Sequence, residues 1–385
     1  MNNNQENNKL TSQASANTDT KRKVVVQVVQ HLRAGGIECL VLEMLRSSQT
    51  TQNEDMYIIS LEGNKEDALR AWPRLLPYKK RLFFLNKSAG ISLSCLFKVK
   101  NILTRLKADV VHSHHIGPLL YAGLAAILVG IQPRIHTEHD AWHMQNTKRR
   151  KLESLLLKII KPNLIADAKG VQEQLKVYQP DYPSNIIHNG IDCKFFHKGN
   201  KSYARAQLGL PQKDVRIIGC AGRLTEVKGH TYLIEAMKFL QDDCILVLAG
   251  DGEEREVLEA LIKSNNLEHR IILLGNIENM VYFYQSLDVF CMSSLNEGLP
   301  LSPLEAQACG VPVVLTDVGG SYEACCPDSG VLVPAKDSTA LAWAIRNTFR
   351  KITKGEMPSP RNFVLTQREF NFMLNQYRML YQQQP

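Results

Sequence analysis

The run KVVVQVVQ at residues 23–30 carries valine at 24, 25, 26, 28 and 29, so both faces of an extended chain there would be apolar. A strand that must be covered on both faces belongs inside a parallel sheet flanked by helices. The next segment, HLRAGG, leads into an amphipathic stretch at 37–45, and the exchange of strand-like for helix-like segments then repeats. MYIISL, RLFFL, ADVVHSH, PRIHTEH and NLIADA are the further strand candidates, with helical patterns at 91–107, 118–129 and 146–160. This alternation predicts a doubly wound α/β domain.

The pattern pauses in IIHNGIDCKFFHKGNKSYARAQLGLPQKD, a polar stretch rich in Asn, Gly and Lys that suits a connection between domains, and then starts again. VRIIGCAG, CILVLAG, RIILLG, DVFCMS, VPVVLT and GVLVP are the second set of strands, with helices near 230–239, 253–265, 280–286, 303–309 and 338–351. A chain of 385 residues exceeds the usual limit of one core. The expected organisation is a tail at 1–22, a first domain at 23–190, a second at 191–365, and a last helix at 366–385 packing back on the first domain. That helix shows Phe370, Met373, Leu374, Tyr377, Leu380 and Tyr381 at helical spacing. The result is two Rossmann-like domains facing each other across a cleft.

Composition narrows the function classes. Nine scattered cysteines without a C-x-x-C pair read as reduced core thiols in a cytoplasmic protein and argue against a zinc site of the cysteine type. The N-terminal stretch lacks the apolar centre of a signal peptide, and its polar content supports no packed core. The most apolar later segment, 119–131, falls short of the roughly 20 residues that span a bilayer. The net charge of +8 suits nucleic acid, an anionic membrane or an anionic small substrate equally well.

Chemistry concentrates in LNEGLPLSPLEAQACGVPVV, residues 295–314, where Glu297 and Glu305 are separated by seven residues. Gly298, Pro300 and Pro303 oppose regular helix before 303. A helix starting at Pro303 would make Ser302 its N-cap and Glu305 its third residue, a capping box that gives Glu305 a purely structural duty. Glu297 has no such duty; it follows a strand, at the carboxyl edge where open α/β sheets bind ligands. The helix would also turn its N-terminal amides toward that edge and favour an anion there. AGRLTEVKGH, after the second domain's first strand, places Arg223 and Lys228 at the same edge. Taken alone, the two would be solvated surface charges; beside a helix N-terminus they make a pyrophosphate site.

These residues together resemble the retaining glycosyltransferases of family 4. The resemblance rests on Gly222-Arg223, Lys228-Gly229, AGDG at 249–252, LG at 274–275, and Glu297 and Glu305 with EAQACGVPVV, in that order. It implies the GT-B fold and transfer of a sugar from a nucleotide sugar to a saccharide or lipid-linked saccharide acceptor in bacterial polysaccharide biosynthesis. It further implies that Arg223 and Lys228 hold the donor diphosphate, with Gly252 and the helix start at Leu301 and Ser302 beside it. Glu305 would accept from the ribose, and the backbone around Gly275 would hold the base. Glu297 would oppose the oxocarbenium-like charge of the transferred sugar. Leu299 and Pro300 stand where the family often has phenylalanine and a second glycine, which stiffens the loop.

In the first domain, LRAGGIE resembles the family's glycine loop, with Gly35 and Gly36 open to the donor or acceptor. IHTEHD offers His136 and His139, and the family pattern selects His139 as the residue facing the sugar; either histidine is equally a satisfied structural one. No D-x-D occurs, so no metal is expected on the diphosphate and no cofactor beyond the donor itself. NTKRRKLESLLLKIIK, residues 146–161, reads as a core-packed helix with a basic start, or as a helix that docks on anionic lipid at the inner face of the plasma membrane. No nucleic-acid partner is expected. The rival readings are a sugar-nucleotide epimerase or hydrolase on the same fold, and a nucleotide-binding subunit without activity. A dehydrogenase is disfavoured, because neither first βα turn carries G-x-G-x-x-G.

Overall fold

The structure is a computed structural model describing residues 22–51, 54–212 and 215–383. The first sheet holds β1 (Lys23–Val29), β2 (Glu54–Ser60), β3 (Leu82–Phe84), β4 (Val110–His114), β5 (Arg134–Glu138), β6 (Asn163–Ala166) and β7 (Ser184–Ile186), in the order β3-β2-β1-β4-β5-β6-β7. The second holds β8 (Arg216–Ala221), β9 (Cys244–Ala249), β10 (Ile271–Gly275), β11 (Val289–Met292), β12 (Val313–Thr316) and β13 (Val331–Val333), in the order β10-β9-β8-β11-β12-β13. Every strand pairing in both sheets is parallel. In each sheet the order reverses beside its first strand, β1 or β8. The loops leaving the strand ends at that reversal frame a crevice, which is where such sheets receive ligands.

The valines of β1 explain why the sheet is covered on both sides. Val25 and Val29 join one core with the helix Gly36–Ser48, and Val26 and Val28 join another with the helix Leu93–Leu106. The helix Phe370–Tyr381 closes the first of these cores through Phe370, Met373, Leu374, Tyr377 and Tyr381. The helix before it, Pro360–Gln367, packs Phe363 and Val364 with Leu304 and Ala308 of the second half. The C-terminal segment therefore crosses from one sheet to the other.

The segment expected to be a tail lies outside the described residues except for Arg22, whose guanidinium donates to the carbonyls of Ser48, Thr51 and Glu54. The helix expected at 118–129 is broken by a widened π-helical turn at Leu119–Gly123, where Gly123 lies against Ile160. β7 and the helices Lys65–Ala71, Lys169–Tyr178, Lys201–Gln207 and Pro360–Gln367 add to the expected elements. Lys65–Ala71 buries no residue and is held by the Asn64 cap, so it has no apolar period to read. Lys169–Tyr178 does bury Val171 and Leu175 at helical spacing, a pattern present in the sequence. All nine cysteines are free. Among the described residues, no helix is long and apolar enough to cross a membrane.

Candidate active site

The ends of β8 and β11 bring Lys228 and Glu297 together. Lys228 Nζ lies 2.6 Å from Glu297 Oε1, which also accepts from the Ser294 hydroxyl at 2.5 Å. Glu297 is 7 % exposed and the Lys228 side chain 25 %, so the carboxylate end of this ion pair is nearly desolvated while the ammonium still meets solvent. Its loop has little freedom. A Cβ on Gly298 would stand 1.8 Å from the His139 carbonyl oxygen, and one on Gly319 (φ +51°) would stand 1.9 Å from the Glu297 carbonyl oxygen. The main chain carrying Glu297 is thus wedged between the end of β5 and the turn after β12.

Arg223 is exposed and has no carboxylate within 4.0 Å among the described residues. Its loop is tied to the other predicted donor residues by backbone bonds. Leu224 N–H donates to the Asp251 carbonyl at 3.1 Å, beside Gly252, and Gly250 N–H donates to the Gly275 carbonyl at 2.8 Å. Arg223, Gly252 and Gly275 therefore line one rim.

The helix expected to begin at Pro303 begins two residues earlier, as Leu301–Ala308, with Pro300 at the N-cap and no side-chain cap. Pro303 is admitted because the first-turn amides of a helix have no intrahelical acceptor, so its missing N–H costs no bond. The capping box does not form. Glu305 sits in the helix's second turn, and its Oε2 accepts from the Tyr284 hydroxyl at 2.5 Å. Burial raises the Glu305 carboxyl to about 7, against the opposing pull of that hydroxyl and of Arg74. Leu301 and Ser302 form the helix's half-buried start. Leu301 faces the first sheet, where a Cβ on Gly36 would lie 3.6 Å from Leu301 Cδ1.

On the first sheet, His139 follows β5 and is 5 % exposed. Both of its ring nitrogens are engaged internally, Nδ1 with Asp167 Oδ2 and Nε2 with His114 Nδ1, each at 3.0 Å. Contact with a sugar would require it to exchange one of these bonds. Burial lowers His139 to about 4, opposed by Asp140 and reinforced by His136, so the ring is neutral at pH 7. Burial holds the Asp167 carboxyl well above its ordinary range. A chain of contacts runs from Asp167, whose Oδ2 also accepts from Asn189 Nδ2 at 2.7 Å, through His139 and His114 to Gln27, with His114 Nε2 2.8 Å from Gln27 Oε1. Gln27 Nε2 donates to the Tyr381 hydroxyl at 3.0 Å, Tyr381 to His112 Nδ1 at 3.0 Å, His112 Nε2 to Thr137 at 2.8 Å, and Thr137 to Tyr377 at 3.0 Å. The C-terminal helix thereby shares a network with the crevice. His136 does not join it; its ring is bonded to Ser113 and Glu138.

Several further residues at the crevice were not singled out from the sequence. Glu323 accepts from the backbone amides of Lys169 and Gly170, each at 2.9 Å, and from His188 Nε2 at 2.9 Å, joining the second half to a helix start of the first. Burial alone would raise its carboxyl, but His188 and the two amides outweigh that and hold it below its usual value. Gly319 and Gly320 form a Gly-Gly turn after a strand, which was visible in the sequence. Glu38, in the first turn after Gly36, lies 3.2 Å from His31 Nδ1. Burial raises Glu38 to about 7 while the Arg223 charge opposes the shift, so the lips of the two halves are electrostatically coupled.

Two family models match the chain: Glycosyltransferase Family 4 over residues 22–195, and Glycosyl transferases group 1 over residues 202–356. The EpsF chain of Bacillus subtilis (strain 168), named as a glycosyltransferase, is 28 % identical over 315 residues, covering 78 % of this chain and 80 % of its own. A UDP-Gal:alpha-D-GlcNAc-diphosphoundecaprenol alpha-1,3-galactosyltransferase of Escherichia coli is 28 % identical over 261 residues, 63 % of this chain and 67 % of its own. Among solved structures, Anabaena Alr3699/HepE in complex with UDP and glucose superposes with a TM-score of 0.81 at 19 % identity, covering 93 % of this chain and 99 % of that one. Two parallel sheets in this arrangement are the GT-B fold, and the chain belongs to the family 4, group 1 glycosyltransferases.

Proposed function

We propose that this glycosyltransferase moves a sugar from a nucleoside diphosphate donor to a lipid-linked saccharide acceptor in cell-surface polysaccharide synthesis, with retention and without a metal ion at the diphosphate. The observation that carries the reading is the Lys228–Glu297 pair at the strand reversal, its carboxylate nearly desolvated, beside an exposed Arg223. Arg223, Lys228 and the amides at Leu301 and Ser302 would take the charge that grows on the departing diphosphate. Glu305 would accept from the ribose, and the backbone near Gly252 and Gly275 would bound the nucleotide. Glu297 would face the sugar as its positive character develops. The acceptor would enter from the first half, past Gly36 and His139, with a diphosphate oxygen taking its hydroxyl proton on the same face. The name of the Escherichia coli relative, which specifies a diphosphoundecaprenol-linked acceptor, supports a lipid carrier.

The test is transfer by the isolated chain from a panel of nucleotide sugars to a diphospholipid-linked N-acetylglucosamine, in buffer with no added divalent cation. Product with the donor's anomeric configuration, read by proton NMR, is expected only when acceptor is present. Release of free sugar without acceptor would identify a hydrolase instead.

A peripheral membrane position is part of the same proposal. The helix Thr147–Ile160 divides its apolar residues: Leu156, Leu157 and Ile160 are buried, whereas Leu155 and Ile159 are 54 % and 50 % exposed. Lys148, Arg149, Lys151 and Lys158 are exposed on the same helix. Leu128, in the helix Leu124–Val129 that follows the turn packed on Ile160, is also exposed. Apolar side chains among cations fit an anionic bilayer surface. Sedimentation with phosphatidylglycerol vesicles should therefore fall severalfold in a Leu155→Glu, Ile159→Glu double variant whose melting temperature is unchanged. Equal sedimentation of variant and parent would remove the membrane reading.

A further inference from the structure

One buried cluster has no part in the transfer described above. His136, Glu138 and Glu153 are each 0 % exposed, and a ligand atom from each lies within 4.8 Å of the others. His136 and Glu138 are two apart on β5 and share a face, while Thr137 between them turns the other way toward Tyr377. Glu153 reaches them from the helix Thr147–Ile160.

The bonds around the cluster leave acceptors facing one another. His136 Nδ1 lies 3.2 Å from the Ser113 carbonyl oxygen and 2.9 Å from its hydroxyl, while that hydroxyl donates to the Ile135 carbonyl. Placing the His136 proton at Nδ1 satisfies the Ser113 carbonyl, and Nε2 then presents a lone pair 2.6 Å from Glu138 Oε1. Glu153 Oε2 is held by His143 Nε2 at 2.5 Å. Glu138 Oε2 and Glu153 Oε1 are buried and have no hydrogen-bond partner among the described residues. A buried carboxyl oxygen left without a hydrogen-bond partner is unfavourable. A cation at the centre would satisfy the lone pair and both orphaned oxygens at once.

The surroundings match what a metal ligand set needs. A ligating histidine commonly gives its other N–H to a backbone carbonyl, and ligating carboxylates are themselves hydrogen-bonded; Ser113 and His143 stand in those places. One imidazole and two carboxylates suit a divalent first-row ion of the zinc, iron or manganese class. His115, whose side chain is 31 % exposed, has its Nδ1 4.0 Å from Glu138 Oε2 and is the partly exposed neighbour of the cluster. We propose that His136, Glu138 and Glu153 bind a divalent transition-metal ion that joins β5 to the helix Thr147–Ile160. Such an ion would fix the strand end that carries His139 and the close contact with Gly298. It is separate from the diphosphate pocket and does not depend on the transfer reading.

The full chain, freed of any affinity tag and treated with a chelator, would be titrated with Co2+ and then Zn2+. One equivalent of Co2+ with visible d–d absorption is expected, displaced by Zn2+, together with a higher melting temperature. Glu138→Gln and Glu153→Gln should each lose that equivalent, and His143→Gln should weaken binding by about 10–100-fold, as for other partners of metal ligands. X-ray absorption on the wild-type zinc form needs no variant to fold, and should show one imidazole with oxygen ligands. Either no stoichiometric uptake with a melting temperature indifferent to chelator and Zn2+, or a sulfur-containing shell, overturns the proposal. In the first case the carboxylates share a proton instead.

Discussion

Glutamine at position 297 lowers kcat by about 10²–10³-fold, the loss expected when one preorganised group facing developing charge is removed. Nucleoside diphosphate affinity, measured by titration calorimetry, holds level or tightens. The second half of that result follows from the ion pair. Lys228 Nζ spends part of its charge on Glu297 Oε1 at 2.6 Å, and a neutral amide there releases it toward the diphosphate. Glutamine keeps the side chain's size and an acceptor for the Ser294 hydroxyl, so the wedged loop between His139 and Gly319 stays in place. A fall in nucleotide affinity in step with kcat would mean that Glu297 shapes the donor pocket and does not face the transferred sugar.

The fold was legible because each half announces itself through strands too apolar to have a wet face. Val24 to Val29 and Cys244 to Ala249 allow no other placement than inside a covered parallel sheet, and every strand expected from such runs is present. β7, with the sequence Ser-Asn-Ile, has no such run and depends on its neighbour β6 for its existence. Within the candidate site, spacing identified Glu297, Arg223 and Lys228 but not how they pair, since the 2.6 Å contact joins two loops that only the β8–β11 adjacency brings together. Local rules misplaced the start of the Leu301 helix: proline signals were read as the boundary, whereas the first turn admits a proline as its third residue. Asp167 and His114 were beyond reach for another reason. Their role in orienting His139 depends on burial and on the order of β4, β5 and β6, and neither leaves a motif.

If Glu305 accepts from the ribose as proposed, nucleotide affinity also depends on pH through its carboxyl. Burial holds that carboxyl at about 7 in the unliganded protein, and the carboxylate is a stronger acceptor for ribose hydroxyls than the protonated acid. Below pH 7 binding in the carboxylate form displaces the proton, so Kd should rise by up to about tenfold per pH unit, the slope for release of one proton. Above pH 7 it should be flat. The stability sign is the reverse. A carboxyl raised from 4.5 to about 7 on folding contributes fully below pH 4.5, and the contribution is lost as pH rises through 7. Bound nucleotide should therefore raise the melting temperature most on the alkaline side, where the free protein has lost that contribution. Glu305→Gln separates the two duties, because the amide oxygen still accepts from Tyr284 while the charge is gone. The variant should keep its melting temperature at pH 7, bind nucleotide more weakly above pH 7, and show no step in Kd between pH 5.5 and 8. A step that survives in the variant would assign the titration to another group, and Glu38, also raised to about 7 and facing the Arg223 charge, is the one to replace next.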